Sequence, residues 1–151
     1  MMIYVDADAC PVKGIIESVA KRHGIAVTMI CDVNHILTSD YSHIIVTEQG
    51  ADSADLVLIN KVKSGDIVVT QDYGVATLAL GKGAYAIGNS GLVYTEYNID
   101  RLLFERFLGG KVRRSGNKGG RCANPKKRTE ADNISFEKNF EKLCVQSQPN
   151  I

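Results

Sequence analysis

Short apolar runs rich in β-branched residues recur along the chain at Ile3-Val5, Ala26-Ile30, Ile44-Thr47, Ile67-Thr70 and Ala84-Ile87. None alternates with polar positions as a half-exposed strand would, so each reads as a strand buried on both faces. The segments between them are long enough for helices. From Pro11 to His23, Pro stands at a helix's first position, Ile15, Ile16, Val19 and Ala20 recur at helical spacing, and Gly24 stops the run. A second helix is predicted from Ala51 or Asp52 to Lys63 and a third from Tyr73 to Leu80, ended by Gly81. Strands separated by helices imply right-handed crossovers. The expectation is an α/β protein: a three-layer, open, mostly parallel sheet of about five strands with helices on both faces.

Beyond the last core strand, Asn98 is placed to cap a helix over Ile99-Leu108, with Leu102, Leu103, Phe104 and Phe107 on its buried side. Gly109 to Arg128 holds five glycines and eight cations with Val112 as its one large aliphatic residue, which predicts an exposed flexible loop. A last helix over 135–145 would dock Phe136, Phe140 and Leu143. At 151 residues the chain suits a single domain, with a core over 1–108, a basic loop over 109–128 and the final helix.

The charge is divided unevenly. Met1 to Gly110 carries 8 Lys or Arg against 13 Asp or Glu, whereas Lys111 to Arg128 carries 8 cations and no acid. An acidic body thus bears a basic strap, and a strap of this kind suits a polyanion. The chain runs from Met1-Met2 directly into Ile3-Tyr4-Val5 without a basic leader, and nowhere do 18 uncharged apolar residues adjoin, so a cytosolic protein is expected. The four cysteines, Cys10, Cys31, Cys122 and Cys144, form no C-x-x-C pair, which argues against a zinc ribbon and for reduced thiols.

In open parallel sheets the working residues stand just beyond the carboxyl ends of the strands. Asp6 and Asp8 follow the first strand, Asp52 and Asp55 open the second helix, and Asp72 follows the run Ile67-Val68-Val69-Thr70. Asp52 and Asp55, three apart, share a helix face in the first turn, where the dipole stabilises anions. Each of these five acids taken singly suits a cap on loose backbone N–H groups, and Asp52 is a good N-cap in its own right. Three separate strand ends all supplying Asp point further, to a shared cation. Oxygen ligands without His or Cys select Mg²⁺ or Mn²⁺, which can activate water and stabilise charge at phosphorus.

The strings Asp6-Ala7-Asp8-Ala9-Cys10-Pro11-Val12-Lys13, Gly50-Ala51-Asp52-Ser53-Ala54-Asp55 and Gly65-Asp66-Ile67-Val68-Val69-Thr70-Gln71-Asp72, followed by Asn98-Ile99, resemble the signature segments of the YaiI/YqxD family of bacterial proteins. That family is considered similar to PIN-like and NYN-type ribonuclease domains, whose acids follow the first strand, open a central helix and follow the fourth strand. The resemblance implies a PIN-like fold and a metal site built from Asp6, Asp52 and Asp72 with Asp8 and Asp55 in support. The expected activity is Mg²⁺- or Mn²⁺-dependent cleavage of RNA or another single-stranded nucleic acid. Lys13, Lys111, Arg113, Arg114, Lys126, Lys127 and Arg128 are the residues expected to hold its phosphates.

Two rivals stand beside this reading. Asp6-x-Asp8 after an apolar strand also imitates the nucleophile and acid of a haloacid-dehalogenase-type phosphatase; no cap domain or paired late Asp motif supports it, though Gly65-Asp66 to Asp72 leaves it open. The other is a nucleic-acid-binding domain without turnover. Cys10 beside Pro11 lacks the Arg six residues on that a cysteine phosphatase loop needs, since position 16 is Ile, and packing is its expected role. His23, His35 and His43 have no metal spacing and no role is assigned to them.

Overall fold

The computed structural model describes residues 1–8, 10–34, 37–48, 53–114 and 127–147, without the side chains of residues 53, 110–114 and 147. Its elements run β1 (Met2–Asp6), α1 (Lys13–His23), β2 (Ala26–Asp32), β3 (His43–Thr47), α2 (Ser53–Lys61), β4 (Ile67–Val69), α3 (Tyr73–Gly81), β5 (Tyr85–Ile87), β6 (Val93–Tyr94), α4 (Glu96–Arg114) and α5 (Glu130–Ser147). The sheet has the order β3-β2-β1-β4-β5-β6; the first five strands are parallel and β6 returns antiparallel beside β5. The three-layer α/β architecture is therefore present, with a sixth strand that two residues are too few to announce.

Both faces of the central strands are buried, which is why β1, β2, β4 and β5 are continuous apolar runs; the edge strand β3, expected buried on both faces, buries only Thr47 and leaves Val46 44% exposed. One face carries Ile3, Val5, Met29 and Val69 against Ile16, Val19 and Ala20 of α1 and Phe136, Phe140 and Leu143 of α5. The other carries Tyr4, Ile30 and Val68 against Leu58, Val62, Val75, Ala76 and Ala79 of α2 and α3, with Ile99 of α4. Phe136 and Phe140 stack at 5.2 Å between ring centroids and are fully buried. Arg22 and His23 each meet α5 at 3.1 Å, on Glu137 and Glu141, and so tie the rim of that layer. Because the crossovers from β1 leave on one face and those from β3 and β4 on the other, the sheet's direction of winding changes between β1 and β4. Such a change opens a crevice at the carboxyl ends of the two strands.

Several boundaries depart from expectation. α1 begins at Lys13, two residues beyond Pro11. Asn98 does not cap α4 but sits inside it: its side chain accepts from Thr95 N at 2.8 Å and its N–H donates to the Thr95 hydroxyl at 3.2 Å, a capping box that moves the start upstream. The same helix continues through Gly109 and Gly110 to Arg114, so the first part of the basic stretch is helical rather than loop. Residues 115–126 lie outside the described residues. α4 packs on α3 through Ile99 and Leu102, while Leu103, Phe104 and Phe107, expected inside, are 37%, 60% and 56% exposed. α5 begins at Glu130, because Thr129 and Asp132 form a second capping box five residues before the expected start.

Candidate functional site

The ladder pairs Val5 with Val69, so the residues that follow, Asp6 and Thr70, meet at the mouth of the crevice. The Thr70 hydroxyl donates to Asp6 Oδ2 at 3.3 Å and accepts from Asp72 N at 3.0 Å. Thr70 is 1% exposed and doubly anchored: its N–H donates to Ile87 O at 3.0 Å and its carbonyl accepts from the Tyr94 hydroxyl at 3.2 Å. One side chain thereby couples the two strand-end acids. Nothing in the sequence marked it, since Thr in an apolar β run reads as a strand former; its only signal is its place one residue after β4 and two before an Asp.

Asp72 is the N-cap of α3, with Oδ1 accepting from Gly74 N at 2.8 Å and Val75 N at 3.1 Å. The capping alternative is therefore realised here, but with one oxygen; the second carries no hydrogen bond among the described residues. Tyr73, the first residue of α3, is held by an edge contact from Tyr94 at 5.8 Å and by the Arg106 guanidinium 4.0 Å over its ring. α4 thus braces the helix end that positions Asp72.

Asp8 accepts from Asp32 N at 3.2 Å, which fastens the β1 exit to the end of β2. Asp32, a further acid at this end of the sheet, was not anticipated, although it closes its own apolar run as Asp6 does. Asp55 lies in the first turn of α2. Asp52 lies outside the described residues. The acids converge electrostatically on Asp6, whose carboxyl is pushed up to about 6, first by burial and then by Asp55, with smaller contributions from Asp8 and Asp72; the Thr70 hydroxyl pulls the other way. Four carboxylates from β1, the loop after it, α2 and the loop after β4 therefore share one neighbourhood. Among the described residues no group of three His, Cys, Asp or Glu side chains is arranged to hold a metal ion.

Asp66 contrasts with them. It is 6% exposed at the amino end of β4, and its two oxygens accept from Met2 N at 3.0 Å and Lys63 N at 2.9 Å. It lies at the far end of the sheet from Asp6 and is saturated by backbone, which removes the support that the phosphatase reading drew from Gly65-Asp66.

Of the cations expected at the site, Lys13 donates to Ala7 O at 3.3 Å, within the loop that follows β1. Arg128 stands just ahead of α5; its Nε donates to Asn133 Oδ1 at 2.8 Å, and its buried Nη2 has no hydrogen-bond partner among the described residues. Both act on the Cys10 thiol, which burial nonetheless pushes up, against any role as a thiolate nucleophile. Cys10 meets Asn89 Oδ1 at 3.8 Å, and Asn89 N donates to Gln71 Oε1 at 2.7 Å, linking the loops after β1, β4 and β5. Lys127 is exposed. Lys111, Arg113 and Arg114 ride the last turn of α4 without described side chains, and Lys126 lies outside the described residues. Cys10, Cys31 and Cys144 are free thiols and buried. No helix among the described residues is long and apolar enough to cross a membrane.

Comparison with known proteins agrees with the motifs. The model of the family described as "Uncharacterized BCR, YaiI/YqxD family" matches residues 4–146. A UPF0178 protein of Clostridium kluyveri (strain ATCC 8527) is 52% identical over 145 residues, covering 96% of this chain and 93% of the relative. Those of Clostridium tetani (strain Massachusetts / E88) and Clostridium acetobutylicum (strain ATCC 824) are 54% identical over 140 residues and 53% over 148 residues. They cover 93% and 98% of this chain, and 94% and 99% of their own lengths. No solved structure matches the chain. With a family model spanning nearly all of the chain and relatives above half identity over their full lengths, this protein belongs to the YaiI/YqxD family.

Proposed function

We propose that the chain is a Mg²⁺- or Mn²⁺-dependent phosphodiesterase of the PIN-like superfamily, acting on single-stranded nucleic acid and on RNA in the first instance. The observation that carries this reading is the crowding of Asp55, Asp8 and Asp72 around the half-buried Asp6 at the point where the sheet changes its winding. Like charges gathered there need either a proton or a cation, and at neutral pH the cation is the better neutraliser. The donor set is all oxygen, which fits a hard ion.

Asp6, Asp52 and Asp72 would hold the ion, with Asp8 and Asp55 in support, as the resemblance implies. When bound, such an ion lowers the pKa of water and offsets charge at phosphorus. The chain's own residues do the rest. Thr70 keeps Asp6 and the start of α3 at fixed separation, and the α3 cap holds Asp72 by one oxygen. Lys13, Arg128 and Lys127, with Lys111, Arg113, Arg114 and Lys126 of the basic stretch, would neutralise the phosphates of the bound strand.

Calorimetric titration with Mn²⁺ of wild type and of Asp6→Asn and Asp72→Asn, beside a labelled single-stranded RNA, tests the reading. Saturable binding lost in both variants, together with Mn²⁺-dependent cleavage, is the expected result. Strand binding that persists in chelator with no cleavage in Mn²⁺ would sink the enzyme and leave a binding domain. Trapping of an aspartyl-phosphate analogue on Asp6 with beryllium fluoride would restore the phosphatase.

A further inference from the structure

Between α2 and α3, directly beside the carboxylates, lies a groove of about 380 Å³. Asp55 and Asp72 line it from the amino ends of the two helices, and Leu56, Ile59, Val75 and Leu78 line it along their first turns and beyond. Leu56 is 62% exposed and Leu78 is 56% exposed, although each stands one residue before a position the core does use, Val57 and Ala79. Single exposed leucines are common on protein surfaces, but two that line one groove, ending on charged oxygens, make a shaped apolar surface.

The chemistry of the two ends restricts the occupant. The apolar walls suit an uncharged flat ring, whose faces lose water on entering. Carboxylate oxygens at the same groove accept from ring N–H or amino groups and, with a cation between, tolerate a phosphate next to that ring. A lipid chain satisfies the walls but not the oxygens, and a bare phosphate satisfies neither without the ion. A nucleobase joined to its own phosphate satisfies both.

We infer that this groove, walled by Leu56, Ile59, Val75 and Leu78, seats one base of the strand whose phosphate lies at the carboxylates. The inference rests on the proposed phosphodiesterase reading and makes that site selective for nucleotides over other phosphodiesters. Base recognition there is by shape and apolar contact, so it is tolerant of sequence, as single-strand binders are.

The test uses the full chain in Mn²⁺, with fluorescence anisotropy of a labelled single-stranded oligonucleotide and of an abasic strand of equal length and charge. Wild type is expected to bind the base-bearing strand roughly fivefold or more tightly, the lower range for seating one base. In Leu56→Ser/Leu78→Ser that preference falls to within about twofold, while calorimetric Mn²⁺ affinity is unchanged; both positions are exposed, so folding is spared. Equal binding of the two strands by wild type, or a preference that survives in the double variant, overturns the groove while leaving metal-dependent cleavage to judge the phosphodiesterase. Conversely, absent Mn²⁺ binding with a base preference that the leucine variant abolishes would retain the groove and remove the enzyme.

Discussion

Asp6→Asn separates the two demands made on this site. The Asp6 carboxyl titrates near 6 in the folded chain against 3.8 for an ordinary aspartate, through burial and the neighbouring Asp55 charge. A gap of about two pH units corresponds to nearly 3 kcal/mol, and screening at a half-buried group leaves about 2 kcal/mol. The sign follows from proton counting. Below pH 4 both folded and unfolded chains hold this proton, and ionisation costs nothing. Between about 4 and 6 the unfolded chain releases it first, so the folded chain binds more protons and stability falls as pH rises; above 6 the full cost is present. Asn removes the charge yet can still accept from the Thr70 hydroxyl. Without metal, the variant is therefore expected to match wild type at pH 4 and to melt about 4–8 °C higher at pH 7.5. Mn²⁺ reverses the order, because a ligand at 100 times its Kd adds about 2.7 kcal/mol to wild type and nothing to a variant that has lost its site. Thermal melts from pH 4 to 8 with and without Mn²⁺ read both effects. A variant less stable than wild type at pH 7.5 without metal, or equally raised by Mn²⁺, would refute the reasoning.

Thr70→Val keeps the shape of a buried residue but removes the donor to Asp6 and the acceptor for Asp72 N; the expected cost is about 1–2 kcal/mol in urea unfolding, with Mn²⁺ affinity down by about 10–100-fold. Because that hydroxyl lowers the Asp6 carboxyl, the acidic midpoint in the melting profile should move up in the same variant. Gly91→Ala acts through the fold alone. Gly91 has φ +93°, and an added Cβ would stand 2.7 Å from the Ser135 carbonyl carbon and 2.8 Å from Phe136 N, so α5 must shift and a loss of at least about 2 kcal/mol is expected by denaturant titration. Arg128→Ala should leave Mn²⁺ binding intact and weaken single-stranded RNA binding, flattening the log K against log salt slope by about 0.7 if one phosphate contact is lost; an unchanged slope would remove Arg128 from the interface.

The sheet was legible because its central strands are covered on both faces, so their sequences carry uninterrupted apolar runs; the edge strand β3 carries such a run too but is only partly covered. Helix ends were less so. The Thr95–Asn98 and Thr129–Asp132 boxes set two starts upstream of where the apolar spacing begins, and a cap is a local polar event that periodicity does not register. Gly109-Gly110 read as a stop, yet α4 passes through them, since glycine costs a helix only about 1 kcal/mol per residue and does not forbid it. Phe104 and Phe107 misled for a related reason: their spacing fits a buried face, but the side chains on the second half of α4 are left exposed.

At the site, strand-end position made Asp6 and Asp72 visible, whereas the difference between a structural and a working Asp lies in how its two oxygens are spent. Asp66 commits both to backbone N–H groups and is nearly inaccessible. Asp72 commits one to the start of α3, an arrangement that fixes the carboxylate in place, and its other oxygen has no hydrogen bond among the described residues. Capping and ligand binding are thus compatible duties of a single carboxylate, because a carboxylate has about four acceptor positions and a cap uses at most two. A cap on one oxygen therefore does not exclude the proposed ligand role, and the relevant question becomes whether other charges crowd the oxygen that remains. At Asp66 none can. Around Asp6, where Asp55, Asp8 and Asp72 meet, they do, and that crowding is the feature a structural role alone would have selected against.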